Sequence, residues 1–390
     1  MDNIVRLKEQ VVAAVDRLQP QLTAVATDLF AHPELGRQEV HASKILTERL
    51  AGAGYAIEQP AAGMETAFIA SLRGPGDGPT VAILAEYDAL PELGHACGHN
   101  LIAAGALGAA LALAEVMPQL GGRVLCIGTP DEEGRGGKLD HIRAGTFNGV
   151  DAALMFHPAD ATCVDTHALA LQQIEVVYEG VPAHAAAAPD RGISALSGVI
   201  QTFVAVDALR QHLRADARIN GIITDGGRRP NIIPERAAAS FTLRAATRAY
   251  LEEVVGNFEA CVRGAAAATR TKATITRGES FSDLHNNQVL MDLFAKNLAL
   301  LGEPVEAGEP GMGSTDMGDV TYVVPGIHPY IAVAPRGTAC HTHDFLPHAG
   351  GAGGARAVVV AAKALALTAV DILANPANAA AARAAFAAGR

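Results

Sequence analysis

Apolar residues first recur at helical spacing and then, from residue 67 onward, gather in short β-branched runs separated by helical stretches. The patterns at 2–18 and 21–53 are charged and amphipathic and predict two N-terminal helices. Runs at 67–72, 80–86, 123–128 and 150–156 predict strands. Between them lie a nearly all-apolar helical stretch at 101–116 and a short helix at 138–144. This alternation predicts an α/β domain with a mainly parallel sheet.

From residue 171 the order changes. Strands are predicted at 172–178, 217–224, 235–244 and 272–277, with helices at 193–213 and 248–268. The order βαββαβ is that of a ferredoxin-like sandwich inserted into the first domain. The α/β pattern then resumes with a helix at 287–301, the Gly-rich loop GEPGMGSTDMGD, a strand at 326–332, a His-rich loop and a long Ala-rich helix. The expected domains are therefore 1–170 with 281–390, and 171–280. The Ala-rich tail after Asn375 predicts a frayed helix.

The chain has 390 residues, enough for two or three domains. A formal net charge of −11 argues against nucleic acid and anionic membrane surfaces as partners. The five cysteines are widely spaced and contain no CxxC pair, which excludes a disulfide framework or zinc ribbon and points to a reducing cytoplasm. The N-terminus lacks the layout of a secretory signal. Glu115 and Lys363 limit the most apolar stretches, so no membrane span is expected.

Strand 80–86 ends in Tyr87-Asp88, helix 101–116 follows GHACGHN, strand 123–128 ends in TPDEEG, and strand 150–156 ends at His157. Open α/β sheets place ligands at these carboxyl ends and at the helix N-termini opening there, so the four segments should converge. Cys97, His99, Glu133 and His157 offer S, N, O and N donors suited to a divalent ion such as zinc. The loop CHTHDF adds His341 or His343, a member needed for a second ion. In the adjacent pair Glu132-Glu133, one acid can bind metal while the other stays free as a base.

HPELGRQE (from His32), EYDALP, HACGHN, DEEG, FHP, VPAHAAAAPDRGISAL, PNIIPE, GSTDMGDV and HTHDF follow one another along nearly the whole chain. Together they resemble the di-metal amidohydrolases and aminoacylases of the M-twenty metallopeptidases. CGHN and GSTDMGDV are most similar to the branch containing p-aminobenzoyl-glutamate hydrolase and β-alanyl-lysine type dipeptidases. The resemblance implies a catalytic domain interrupted by a ferredoxin-like lid that forms a homodimer, with two divalent ions per subunit, zinc or manganese. It makes Cys97 the bridging ligand, His99, Glu133, His157 and His341 further ligands with His343 the rival for the last place, and Glu132 the general base. Asp88 would orient a ligand. His184 would reach the partner's active site and stabilise the oxyanion, while Asn231 and Arg244 would hold a substrate carboxylate or carbonyl.

The implied activity is hydrolysis of an N-acyl amino acid, dipeptide or related small amide. Two alternatives are another hydrolysis on the same metals, such as aromatic deamination or carbamoyl cleavage, and a catalytically silent binding or scaffold protein. The latter predicts a missing base or ligand, and every such position is filled. Cys126, Cys163, Cys261 and Cys340 are expected to be structural. His41, His141, His212 and His285 are assigned nothing, and His32 is expected to fix the HPELG turn. His95 and His343 are kept as possible supports of the site. Arg244 is balanced between a carboxylate binder and a lid salt bridge. GRGGK and GEPGMGS match no phosphate-binding loop.

Overall fold

The computed structural model describes residues 2–307 and 313–389; the start of the predicted Gly-rich loop, 308–312, lies outside the described residues. The described chain divides into two compact units. One comprises 2–167, 284–307 and 316–389, and the other 168–283 with 313–315.

The first unit begins with helix α1 (Asp2–Ala31), α2 (Val40–Gly52) and strands β1 (Ala56–Glu58), β2 (Phe68–Arg73) and β3 (Thr80–Ala85). It continues with α3 (His99–Val116), β4 (Arg123–Gly128), α4 (Gly137–Arg143), β5 (Ala152–Leu154) and β6 (His157–Ala159). Its sheet has the order β1-β2-β4-β3-β5 and ends on β11 (Gly326–Ile327). From β4 across to β11 neighbouring strands are parallel, while β2 and β1 add an antiparallel margin. Every residue of β3 is buried, so both faces of the sheet are covered there.

Several predicted elements are merged or cut by proline. The first helical pattern and the start of the second form one helix through Pro20. Pro20 removes one hydrogen bond, a loss of about 3 kcal/mol. The fully buried Leu7, Val11, Ala14, Val15 and Leu22 hold the helix together on both sides of it. The true break comes at His32, because Pro33 disfavours helical backbone in the residue before it. The predicted strand 326–332 splits at His328-Pro329 into β11 and β12 (Tyr330–Ala332), just as 150–156 stops short at β5 and gives way to β6. β6 and β12 leave the main sheet and pair with each other in parallel. His157 and His328 sit where the two strands cross from one sheet to the other.

The second unit runs β7 (Ala170–Glu179), α5 (Ala195–Arg210), β8 (Arg218–Asp225), β9 (Arg236–Ala245), α6 (Arg248–Thr269) and β10 (Lys272–Phe281). Its antiparallel sheet has the order β10-β7-β9-β8, the arrangement of a ferredoxin-like sandwich. The two helices bury Tyr178, Phe241, Leu251 and Phe258 against it. β8 is an edge strand.

The first unit closes with α7 (Gln288–Leu300), α8 (Met317–Thr321), α9 (Leu346–Ala349), α10 (Ala352–Leu373) and α11 (Pro376–Ala388). The expectation of a frayed tail is overturned. Asn375 caps α11, Ala379 and Ala382 are buried, Asn287 donates to the Ala382 carbonyl, and Arg383 pairs with Asp151. The limit drawn at Glu115 also understated α3. His99–Gln119 is long and apolar enough to cross a membrane, but 83% of its most apolar window is buried inside the protein, as befits a core helix.

Candidate metal centre

Three segments at the carboxyl ends of the parallel strands, together with one late loop, meet at a single point of the first unit. Gly98 caps α3 with φ 81°, and a Cβ there would stand 2.5 Å from Pro158, so only glycine lets the chain turn so close to β6. This turn places Cys97 and His99 side by side. Asp131, at φ 65°, swings Glu132 and Glu133 off the end of β4. Its amide donates to Glu39 (3.0 Å) and its carboxylate pairs with Arg37 (2.7 Å). His341 also has left-handed backbone, φ 64°, and its amide donates to the Ala96 carbonyl at 3.0 Å.

Cys97 Sγ lies 3.2 Å from His157 Nε2 and 3.2 Å from His341 Nε2. Two three-donor groups share this sulfur: Cys97, His99 and His157, and Cys97, Glu133 and His341. His99 Nδ1 bonds Asp88 at 3.0 Å, while the other Asp88 oxygen accepts from the Glu133 amide at 2.9 Å. One carboxylate thus orients two of the donors. His99 Nε2 is buried without a hydrogen-bond partner and lies 3.9 Å from Glu133 Oε1, which has His341 Nε2 at 3.1 Å on its other side. An orphaned buried nitrogen and a carboxylate oxygen beside a shared sulfur fit divalent ions with mixed S, N and O ligands.

The electrostatics agree. Burial, followed by the charge of His99, pushes His157 down to about 4, which keeps the imidazole neutral as a ligand must be. Burial opposes charge on His99, yet Asp88 first, then Glu86 and Glu133, raise it well above the usual histidine range. The negative potential that does this also attracts a cation. Burial, then the charges of Glu86, Asp316 and Glu133, lift Glu132 well above the ordinary carboxylate range.

Several contributors carry no motif of their own in the sequence. Lys138 is fully buried, with Nζ 2.5 Å from Glu86 and 2.6 Å from Asp316, and both acids lie beside Glu132. An acid closing an all-apolar strand, as Glu86 does after TVAILA, requires a buried cation, and that was the available signal. His328 is buried with neither ring nitrogen bonded, and its ring meets that of His157 edge-on at 5.6 Å. Cys340, expected to be structural, stands beside these donors, its Sγ 3.8 Å from the Pro158 carbonyl oxygen. Its thiol lies against Cys97, whose thiol is raised by that contact first and by burial second. The resemblance points to His341 and passes over the cysteine before it.

Among the remaining candidates, His343 is exposed and joins none of the donor groups, and His95 is buried with Nδ1 unbonded. In the second unit His184 is exposed, and its Nδ1 accepts from the amides of Ala186 and Ala187 at 3.3 and 3.2 Å. A neutral ring therefore carries its proton on Nε2, which is free to donate. Asn231 is exposed and its carbonyl accepts from the Ala185 amide. Arg244 Nε is buried and unbonded, and no carboxylate pairs with the guanidinium among the described residues.

Residues 82–365 match the Peptidase family M20/M25/M40, and the chain belongs to that family, a class of hydrolases acting on amide bonds. The chain is 35% identical to the Xaa-Arg dipeptidase of Mus musculus over 390 residues, 95% of this chain and 90% of that protein. It is 32% identical to one of the subunits of p-aminobenzoyl-glutamate hydrolase from Escherichia coli over 312 residues, 75% of this chain and 64% of that one. In three dimensions it is similar to a dinuclear metal binding peptidase of the same family from Bacillus subtilis. That likeness has a TM-score of 0.74 at 23% identity and covers 92% of this chain and 99% of the other.

Proposed function

We propose that this protein is a cytoplasmic, homodimeric di-metal amidohydrolase that cleaves dipeptides and N-acyl amino acids. The observation that carries the reading is the pair of donor triads sharing Cys97, with Glu132 beside them. Cys97, His99 and His157 would hold one divalent ion and Cys97, Glu133 and His341 the other. His343 lies outside both groups. A thiolate and three imidazoles favour zinc over manganese, and the thiol ligand calls for a reducing compartment. When bound, the ions polarise the amide carbonyl and acidify the attacking water.

Glu132 takes the proton of the attacking water and passes it to the leaving amine, so that one side chain serves as base and then as acid. Asp88 fixes the His99 ring and the Glu133 backbone, holding both ligands in place. His184, with its proton on Nε2, donates to the oxyanion in the partner subunit's site. Arg244, half-buried with its Nε enclosed and no acid against it among the described residues, and Asn231 take the substrate carboxylate. The inserted unit acts as lid and dimerisation domain, and closure completes the site. Support for a dimer comes from the edge strand β8, where Ile222 and Ile223 are exposed, and from Ile200 and Val204, which form an exposed i, i+4 stripe on α5. Among dipeptides, those ending in arginine come first, since the Mus musculus relative is named an Xaa-Arg dipeptidase and a net charge of −11 favours cationic substrates.

The test is a hydrolysis screen on zinc- and manganese-reconstituted protein, covering basic dipeptides, N-acyl amino acids and p-aminobenzoyl-glutamate. Glu132→Gln runs beside it. We expect the variant to bind metal normally and lose at least about 100-fold in turnover, the usual scale for a lost general base. Full activity in the variant would remove the mechanism.

A further inference from the structure

A second group of metal-ligating side chains lies outside the catalytic centre, where α1 ends and α2 begins. Asp28 is in the last turn of α1, His32 follows its end, and His41 is the second residue of α2. His41 Nε2 is 2.7 Å from one Asp28 oxygen, and His32 Nδ1 is 3.4 Å from the other and 2.9 Å from the Asp28 backbone carbonyl, a bond that an ion on Nδ1 would replace. The two imidazole rings are 5.0 Å apart at their centroids, and one donor atom from each residue falls within 4.8 Å of the others.

We infer that Asp28, His32 and His41 form an additional binding site for a divalent transition ion, zinc in the first instance. A tetrahedral ion with ligand bonds of 2.0–2.1 Å sets its donors about 3.3 Å apart, and each imidazole has an Asp28 oxygen near that distance, a different oxygen for each ring. Two imidazoles and a carboxylate select zinc, nickel, copper or cobalt over magnesium and calcium. The side chains are 38–60% exposed, so water can complete the coordination shell. The site is also held in shape beforehand. Both Glu34 oxygens accept amides at the start of α2, from His41 and Ala42, each at 2.9 Å, which fixes His41 relative to the end of α1. The inference draws on no residue of the catalytic centre.

The experiment counts zinc per chain by elemental analysis, after the full-length protein is dialysed against buffered free zinc and the excess removed. Wild type should carry one ion more than His41→Gln, His32→Gln or Asp28→Asn, whatever number the catalytic centre holds, and the variants should keep wild-type turnover. Added zinc should also raise the Tm of the loaded wild type and leave that of loaded His41→Gln unchanged, because an ion bound only by the folded state stabilises it. Equal zinc counts in wild type and all three variants would overturn the site, as would equal Tm responses to zinc.

Discussion

Glu39 shows how a single carboxyl ties stability to the loop that carries Glu132 and Glu133. It is fully buried, accepts from the Thr66 hydroxyl (2.7 Å) and the Asp131 amide (3.0 Å), and has no cation against it among the described residues. Burial outweighs these bonds and, with the charge of Asp88, lifts it from 4.5 to about 7. An acid with a raised folded pKa binds more protons in the folded than in the unfolded state across that window. Its contribution is therefore intact below pH 4.5 and falls by about 3 kcal/mol as pH rises to 7. Glu39→Gln should flatten the pH dependence of stability over this range and leave the variant more stable than wild type at pH 8. Urea unfolding at pH 5 and pH 8 measures it; an unchanged difference between the two pH values in the variant would refute the account. Residues such as Cys97, His99, Glu133 and His157 were readable from sequence because each closes a strand or opens a helix at one edge of a parallel sheet. Glu39, Lys138 and Cys340 were not, because their roles arise from partners about 30 to 240 positions away, which local pattern does not encode.

At the scale of elements, the same substitution should act with opposite sign on two helices. Gly108 lies on α3, where α1 and α10 press in: a Cβ would stand 2.6 Å from Leu22 Cδ1 and 2.9 Å from Ala362 Cβ. The leucine tip can rotate, whereas Ala362 is part of the α10 backbone surface and cannot move alone. Gly108→Ala should therefore lose about 1 kcal/mol net, overpacking of 1–3 kcal/mol outweighing the helical preference for alanine. Gly256 on α6 is exposed with nothing within 4 Å of its Cβ position. Gly256→Ala should gain about 0.5–1 kcal/mol. Shifts of equal sign in the two denaturation midpoints would show that close packing of α3 is not what holds Gly108. Most elements were predicted within a few residues because apolar period and turn chemistry agree along them. Three of the exceptions share a cause: Pro20, Pro158 and Pro329 lie where tertiary pairing overrides the local signal, carrying a helix through one proline and moving strands to another sheet at the others.

At the scale of the whole molecule, the proposed homodimer makes a prediction that a monomer cannot meet. His184→Ala lacks the oxyanion donor but keeps Glu132, and Glu132→Gln lacks the base but keeps His184, so each homodimer alone should be nearly inactive. If His184 serves the partner's site, a mixed dimer contains one site with both groups, formed by the base of one subunit and the histidine of the other. Equal mixing with free exchange makes half of the dimers mixed and should restore about a quarter of wild-type turnover. If His184 served its own subunit, no mixed dimer would contain a complete site and nothing would be regained. The edge strand supplies a control. Ile222→Lys places a charge on the exposed apolar surface of β8, where it opposes edge-to-edge pairing without touching the catalytic centre. Carried by both variant chains, it should shift sedimentation toward the monomer and abolish the restored turnover together. Restoration that survives in a fully monomeric mixture would show that His184 does not act across β8, and the inserted unit would then have to be assigned another role.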